Sequence, residues 1–188
     1  AGLSGNIHDK GLLILEGYLR HRYAQSFPLS LYAGICFEQN YGSIDGDSAS
    51  SAELYALLSA IGCFPVRQDI AVTGSVNQMG ELQPVGGINE KIQGFYNACR
   101  TCGLTGTQGV IIPYQNKSSL ILPYSVEKAV EEKRFHIWAI SSIDEGLSIL
   151  SGLESGERDR KGNYRNGTFN RLIEDQLRDL WRSSQSQR

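Results

Sequence analysis

A serine lies where a glycine-containing acidic loop meets a predicted helix, because Asp45–Ser50 reads Asp-Gly-Asp-Ser-Ala-Ser. Ser48 would stand beside the unpaired amides of a helix N-terminus, which can stabilise an oxyanion. Serine and aspartate before a helix are also ordinary N-caps. The stretch falls one residue short of the nucleophile-elbow pattern, since Ser50 replaces its last glycine. Alone, the loop is compatible with a nucleophile or with a cap.

A serine nucleophile needs a group that accepts its proton. Lys91 follows the sequence Val-Gly-Gly-Ile-Asn-Glu and lies in the first turns of a predicted helix with apolar neighbours. Lysine, with an ordinary pKa of about 10.4, acts as a base only where burial or a nearby positive potential removes its proton. The histidines His8, His21 and His136 are the other candidates, and spacing favours none of them. The base therefore stays open at this point.

Other patterns in the chain predict less chemistry. Ser125-Val-Glu-Lys128 matches Ser-x-x-Lys, but no Lys-Thr-Gly accompanies it and Ser125 is better explained as an N-cap. Cys99 and Cys102 form a single Cys-x-x-Cys without the further ligands of a zinc site. The patterns at 116–118 and 166–168 would accept glycans only in a secreted protein. We therefore expect no metal site.

Hydrophobic periodicity predicts alternating helices and strands, which indicates an α/β or α+β domain. The predicted helices are 10–23, 49–61, 88–102, 125–133, 143–150 and 168–181, and the predicted strands are 29–38, 69–76, 109–113 and 135–140, with a hairpin or turn at 79–87 and a Gly- and Asp-rich loop at 40–47.

Composition places the chain among ordinary globular proteins. Its 188 residues are 40% hydrophobic and carry a net charge of −2, which excludes a global basic field for nucleic acid. No P-loop, secretory signal or membrane-spanning apolar run occurs, and we expect a cytoplasmic protein with no membrane partner. We predict a domain over 1–153, a polar linker over 154–167, and an amphipathic helix with a frayed tail over 168–188.

Two stretches together are more specific than either alone. Residues 37–50, ending in Glu-Gln-Asn-Tyr-Gly-Ser-Ile-Asp-Gly-Asp-Ser-Ala-Ser, resemble the nucleophile loop of Lon proteases. Thr73–Gly80 together with Val85–Lys91 resembles the segment that carries that family's catalytic lysine, and 4–11 resembles the start of the B-type proteolytic domain. Asp47 and Ser50 replace the Pro and Gly of the A-type loop, which favours the B-type or a B-like branch.

This resemblance implies a serine endopeptidase with a Ser-Lys dyad, in an α+β fold of helices packed on a mixed sheet. Ser48 would be the nucleophile and Lys91 the general base. Thr73 would orient the lysine, and Gly46, Asp47 and Ala49 would belong to the oxyanion and substrate loop. Asp45 would either help position the dyad or, if it faces the lysine, stabilise the protonated form and oppose activation.

The resemblance also implies a larger machine. Lon proteases unfold damaged or unfolded protein substrates with an AAA+ ATPase module and work as hexameric rings. We expect no cofactor in this chain, with ATP and Mg²⁺ serving a motor module outside it. Two alternatives remain: a non-catalytic Lon-like module for assembly or partner binding, and an esterase that uses one of the histidines.

Overall fold

The computed structural model describes residues 5–37 and 42–186. In this part of the chain the helices are α1 (Asn6–Tyr23), α2 (Ser50–Gly62), α3 (Ile88–Cys102), α4 (Tyr124–Glu131), α5 (Ile143–Ser151) and α6 (Phe169–Ser186), with a 3-10 helix at Tyr114–Ser119. The strands are β1 (Ile70–Val72), β2 (Ser75–Val76), β3 (Leu82–Gln83), β4 (Gly109–Pro113) and β5 (His136–Ile140). This arrangement of helices packed on strands confirms the predicted α+β fold.

The strands form a parallel sheet in the order β1-β4-β5 and a separate antiparallel pair, β2-β3. The central strand β4 reads Gly-Val-Ile-Ile-Pro and is buried along its whole length. A continuous apolar run of this kind suits a parallel strand that is covered on both faces. In a parallel sheet the carboxyl ends of neighbouring strands lie at one edge, where ligand sites are usually found. Thr73 follows β1 at this edge.

The sheet separates two apolar cores. One core joins residues of α1, α2, α5 and α6, among them the fully buried Leu54, Leu58 and Phe169. The other packs α3 and α4 against the opposite side of β4, around Ile92 and Phe135. Each helix therefore has a buried apolar stripe that fixes its rotation relative to the sheet. Through these two cores, α2 and α3 approach the same strands from opposite sides.

The predicted strand 69–76 is interrupted in the structure. It divides into β1 and β2 at Thr73 and Gly74, so that β2 can turn to pair with β3. A β-carbon on Gly74 would approach Leu82 Cδ2 and Pro113 Cγ at 3.2 Å, so a larger residue would be crowded here. The break places a glycine and a threonine, instead of regular strand, beside the start of α2.

The strand predicted at 29–38 is wrong over its described part. Residues 29–37 lie in no strand, and Glu38 lies outside the described residues. Leu29 and Leu31 pack against the core beside α1, whereas Ala33 and Ile35, which continue the alternation, are exposed. A period of two shows which residues share a face, but it does not supply a partner strand.

Helix boundaries differ from the predictions by a few residues at several ends. α1 begins at Asn6, four residues before the predicted start, and α6 continues to Ser186, five residues beyond the predicted end. Asp9 lies within the first turn of α1. The additional residues at the start of α1 are capped by the carboxylate of Asp45, which is distant in sequence.

The C-terminal segment packs onto the rest of the described chain. Arg158 donates to Glu174 Oε1 at 2.8 Å and to the Arg22 carbonyl at 2.9 Å, and its guanidinium lies 4.1 Å from the Tyr164 ring centroid. Buried Asn170 accepts a 2.6 Å hydrogen bond from Tyr23 Oη. The linker and domain boundaries remain predictions, but these contacts tie α6 and the residues before it to α1.

We expect Phe169→Ala to destabilise the 188-residue chain by about 3–5 kcal/mol, because it removes a fully buried ring and leaves a cavity. The Phe169 ring lies 6.4 Å from the Phe64 ring, centroid to centroid. Urea unfolding followed by circular dichroism measures the change. Leu180→Ala is the matched control, since Leu180 lies on the same helix and is exposed. If both variants cost less than about 1 kcal/mol, α6 is an appendage and contributes little to the fold.

Candidate functional site

The loop that carries Ser48 is fastened to the break between β1 and β2. The Gly74 N–H donates to the Ser48 carbonyl at 2.9 Å, and Thr73 Oγ1 donates to the same oxygen at 3.3 Å. In return, the Ser51 N–H donates to the Gly74 carbonyl at 3.1 Å. These three bonds explain why the strand breaks here, since residues 73 and 74 bond to the loop. They fix the carbonyl of Ser48 and the amide of Ser51 to the same two residues.

Two further side chains support the same loop from β2. Ser75 Oγ donates to Asp47 Oδ2 at 2.9 Å, and Ser50 Oγ accepts from the Val76 N–H at 3.2 Å. Ser75 and Ser50 are both buried. Asp47 and Ser50, on either side of Ser48 and Ala49, are therefore held by the Ser75 side chain and the Val76 amide. Sequence reasoning missed the Asp47–Ser75 bond, because no local pattern links residues 28 positions apart.

Ser48 precedes α2, whose N-cap is Ala49, with no side-chain cap. The Ser50 N–H donates to the Asp47 carbonyl at 3.0 Å and the Ser51 N–H is bonded to Gly74, so both amides are occupied. Among the described residues no hydrogen bond occupies the Ser48 or Ala49 amide, so both are candidates to receive an oxyanion. The N-terminal end of α2 also adds a partial positive potential at this point.

Lys91 reaches this loop from the opposite core. Its N–H makes a helical bond to the Gly87 carbonyl at 3.0 Å, in the first turn of α3. Its Nζ donates to Thr73 Oγ1 at 3.3 Å. Because the Thr73 hydroxyl has one hydrogen and uses it on the Ser48 carbonyl, it faces Lys91 as an acceptor. Thr73 thus joins the lysine to the backbone of Ser48.

The structure links Lys91 to Thr73 and Thr73 to the backbone carbonyl of Ser48, and the catalytic roles of these residues remain a prediction. Among the described residues no hydrogen bond joins Lys91 Nζ to Ser48 Oγ. The Lys91 side chain is exposed, whereas Thr73 is buried. Catalytic hydrogen bonds are often long in free enzymes and shorten in the substrate complex, so this geometry is compatible with a dyad.

Asp45 is placed against α1. Its Oδ1 accepts from the Gly46 N–H at 2.8 Å, the Ile7 N–H at 3.1 Å and the His8 N–H at 3.3 Å. These bonds, with that from Gly46 largest, lower the pKa of Asp45 because they stabilise the carboxylate. Gly5 makes the approach possible, since a β-carbon there would lie 2.3 Å from Asp45 Cγ. The carboxylate caps α1, and its supporting role toward the dyad remains a prediction.

Two of the three histidines, His8 and His136, are engaged elsewhere in the described chain. Buried His8 lies beside buried Glu53, with Nδ1 and Oε1 3.6 Å apart. Burial raises the pKa of Glu53, and the opposing effect of His8 offsets only part of this rise. His136 lies on β5, where Nε2 is 2.9 Å from the Gly106 carbonyl. Within the described residues no histidine hydrogen-bonds to Ser48. Lys91, by contrast, is linked through Thr73 to the Ser48 carbonyl, which favours the lysine over a histidine.

The remaining sequence patterns do not gather into a second site. Cys99 is buried and Cys102 exposed, and both are free thiols. No group of three or more His, Cys, Asp or Glu side chains suited to a metal ion occurs among residues 5–37 and 42–186. A groove of about 300 Å³ lies between α1 and residues 29–35, and its lining includes neither Ser48 nor Lys91. In the described part of the chain, no helix is long and apolar enough to cross a membrane.

Comparisons with known proteins point in one direction. Residues 40–150, more than half of the chain, match the family of the Lon protease (S16) C-terminal proteolytic domain. A Lon protease homologue of Escherichia coli (strain K12) is 49% identical over 153 residues, which are 81% of this chain and 26% of that protein. A homologue from Haemophilus influenzae (strain ATCC 51907 / DSM 11121 / KW20 / Rd) is 40% identical over 172 residues, which are 92% of this chain and 29% of that protein.

An archaeal Lon protease of Thermococcus kodakarensis is 37% identical over 113 residues, which cover 60% of this chain and 16% of that protein. Bacterial Lon proteases match as well, so the assignment to the B-type branch remains a prediction. The chain spans a little over a quarter of the length of the Escherichia coli and Haemophilus influenzae homologues. The matched region contains both Ser48 and Lys91. The chain belongs to the Lon protease (S16) C-terminal proteolytic domain family.

Proposed function

We propose that this chain is the proteolytic domain of an ATP-dependent Lon-type serine endopeptidase, in which Ser48 is the nucleophile and Lys91 the general base. The observation that carries the proposal is the chain of hydrogen bonds from Lys91 Nζ through Thr73 Oγ1 to the Ser48 carbonyl. It joins the two residues across 43 positions of sequence, within a family of proteases. Membership supports the reaction class, and the geometry supports the assignment of roles.

In the first half of the reaction, the lone pair of neutral Lys91 takes the proton of Ser48 Oγ as this oxygen attacks the peptide carbonyl. Thr73 suits this role because it accepts one N–H of the amine and leaves the lone pair free to face the serine. The carbonyl electrons move onto oxygen, which the amides of Ser48 and Ala49 and the α2 N-terminus stabilise. Gly46 and Asp47 complete this loop as its oxyanion and substrate side.

The tetrahedral intermediate then collapses to an acyl-enzyme. Lys91 returns its proton to the leaving amine, and the C–N bond breaks. In the second half, water replaces the amine: Lys91 takes a proton from water, the hydroxide oxygen attacks the ester, and Ser48 recovers its proton. Lys91 is exposed in this chain, and a bound polypeptide would cover it and exclude water from the dyad.

The dyad chemistry needs no cofactor in this chain. ATP and Mg²⁺ would serve an AAA+ module elsewhere in the protein, which would deliver unfolded or damaged proteins to Ser48 and assemble as a hexameric ring in the cytoplasm. This part of the proposal is supported by the family and by the chain's spanning about a quarter of its homologues. A B-type branch fits the Asp47 and Ser50 positions of the loop.

A fluorophosphonate probe tests the proposal against its alternatives. We expect the full-length protein that contains this chain to be labelled on Ser48. The labelling rate should fall by at least about 10³-fold in Lys91→Ala, to a residual rate measured over long incubation, and should be retained in His8→Ala, His21→Ala and His136→Ala. Mass spectrometry of the labelled peptide identifies the residue. A non-catalytic module predicts no labelling. An esterase predicts the opposite pattern, in which a histidine substitution abolishes labelling and Lys91→Ala preserves it.

A further inference from the structure

The turn before α3 contains two glycines, whose backbone conformation is not restricted by a side chain. Gly86 and Gly87 precede the helix, and Gly87 is its N-cap in the left-handed conformation, with φ +67°. Glycine has more backbone freedom than any other residue, and no side chain caps this helix end. Since Lys91 lies in the first turn, its ammonium position depends on what fixes this turn from outside.

Asn116 supplies one such contact. Its Oδ1 accepts from the Val85 N–H and its Nδ2 donates to the Val85 carbonyl, both at 3.0 Å. The side chain is only 7% exposed, so these two bonds satisfy a carboxamide that is costly to bury unpaired. The pair imitates a strand partner and holds the residue just before the two glycines.

Asn89 supplies the reciprocal contact from the helix itself. Its Nδ2 donates to the Ser119 carbonyl at 3.2 Å, and its Oδ1 accepts from the Ile121 N–H at 2.9 Å. Asn89 lies two residues before Lys91 and Asn116 lies on the 3-10 helix. Two carboxamides thus bind the start of α3 to residues 116–121, with four hydrogen bonds to backbone groups.

Strand β4 anchors both partners of the contact between Lys91 and Thr73. Thr73 follows β1, which pairs with β4, and its N–H donates to the Ile111 carbonyl at 3.1 Å. The 3-10 helix that carries Asn116 begins directly after β4. The two carboxamides therefore connect α3 to the strand that also places Thr73, and they set the distance over which Lys91 must reach.

We propose that Asn116 and Asn89 are positioning residues for the Ser-Lys dyad, acting through the placement of Lys91. The inference rests on the proposed function, since it gives these residues a role only if Lys91 is the base. Asn116 stands in a sequence that otherwise reads only as a glycosylation pattern, which hides this role. A misplacement of about 1 Å in a catalytic group can lower a rate by about 100-fold.

The test uses Asn116→Ala, Asn116→Asp and Asn89→Ala in the full-length protein, with casein as substrate. Asn116→Asp keeps the shape and the acceptor for Val85 but places an oxygen against the Val85 carbonyl. We expect kcat to fall by about 10- to 100-fold in each variant, with KM changed less than about 2-fold. Asn97→Ala, on an exposed position of α3, is the matched control and should keep the wild-type kcat.

A double-variant measurement separates positioning from general damage. The rate of fluorophosphonate labelling at Ser48 is compared for Asn116→Asp alone, Lys91→Ala alone and both together. If Asn116 acts through Lys91, the second substitution adds no further loss once Lys91 is gone. Equal losses in both backgrounds, or a wild-type kcat in both Asn116→Asp and Asn89→Ala, overturn the proposal. Wild-type labelling in Lys91→Ala alone instead overturns the proposed function.

Discussion

Replacing Lys91 by alanine is expected to lower kcat for casein cleavage by the full-length protein by at least about 10³-fold, because Ser48 then has no proton acceptor. Lys91 Nζ contacts Thr73 Oγ1 at 3.3 Å, and the serine loop keeps its own bonds to Gly74 and Thr73 when this amine is removed. Folding should therefore be preserved while the chemistry is lost. Initial rates at saturating casein measure the effect.

Lys91→Arg separates a base from a fixed charge. Arginine keeps the positive charge but does not give up its proton in proteins, so it cannot serve as a base. We expect Lys91→Arg to be as inactive as Lys91→Ala. Lys128→Ala is the matched control, since Lys128 is exposed and has only a 3.9 Å ion pair with Glu132. Activity of Lys91→Arg within about 10-fold of wild type would mean that Lys91 acts through its charge.

Replacing Ser48 by alanine is expected to have the largest effect, a loss of casein cleavage of about 10⁴-fold or more, because no acyl-enzyme can form. The bonds that fix this residue involve its carbonyl oxygen, which alanine also has, so the loop should keep its place. Ser43→Ala provides the control from the same loop. Persistent cleavage in Ser48→Ala would assign the nucleophile to another residue.

The same variant addresses assembly. If the chain served only as a scaffold, Ser48→Ala would leave every property of the full-length protein unchanged. On the proposed function, Ser48→Ala changes proteolysis and leaves the oligomeric mass, measured by light scattering, as in the wild type. A substitution at one half-buried hydroxyl thus distinguishes an enzyme from a module for partner binding.

The helices were largely predictable from the sequence, because an amphipathic period marks the buried face of each one. The start of α1 was not, since its cap is Asp45, 37 positions beyond His8. The break at Thr73 and Gly74 was also missed, because the β-branched residues among 69–76 favour one continuous strand. It exists because these residues bond to Ser48, and local propensity carries no information on such a contact.

For the candidate site, the residue types were predictable and their arrangement was not. Ser48 and Lys91 stood out through the family resemblance, while spacing alone left the base open between Lys91 and three histidines. The structure adds the contact through Thr73 and the support from Ser75. Asn116 had no signal in the sequence, because a carboxamide that binds a distant backbone looks like any surface asparagine until the fold is known.

The most direct measurement is a crystal structure of the full-length protein with a peptidyl boronate bound at the site. The proposed dyad predicts continuous density from the boron atom to Ser48 Oγ, with Lys91 Nζ about 3 Å from that oxygen and still in contact with Thr73. It also predicts one boronate oxygen facing the Ser48 and Ala49 amides. Density on another residue, or a Lys91 Nζ that stays more than about 5 Å from Ser48 Oγ in this complex, would contradict the dyad.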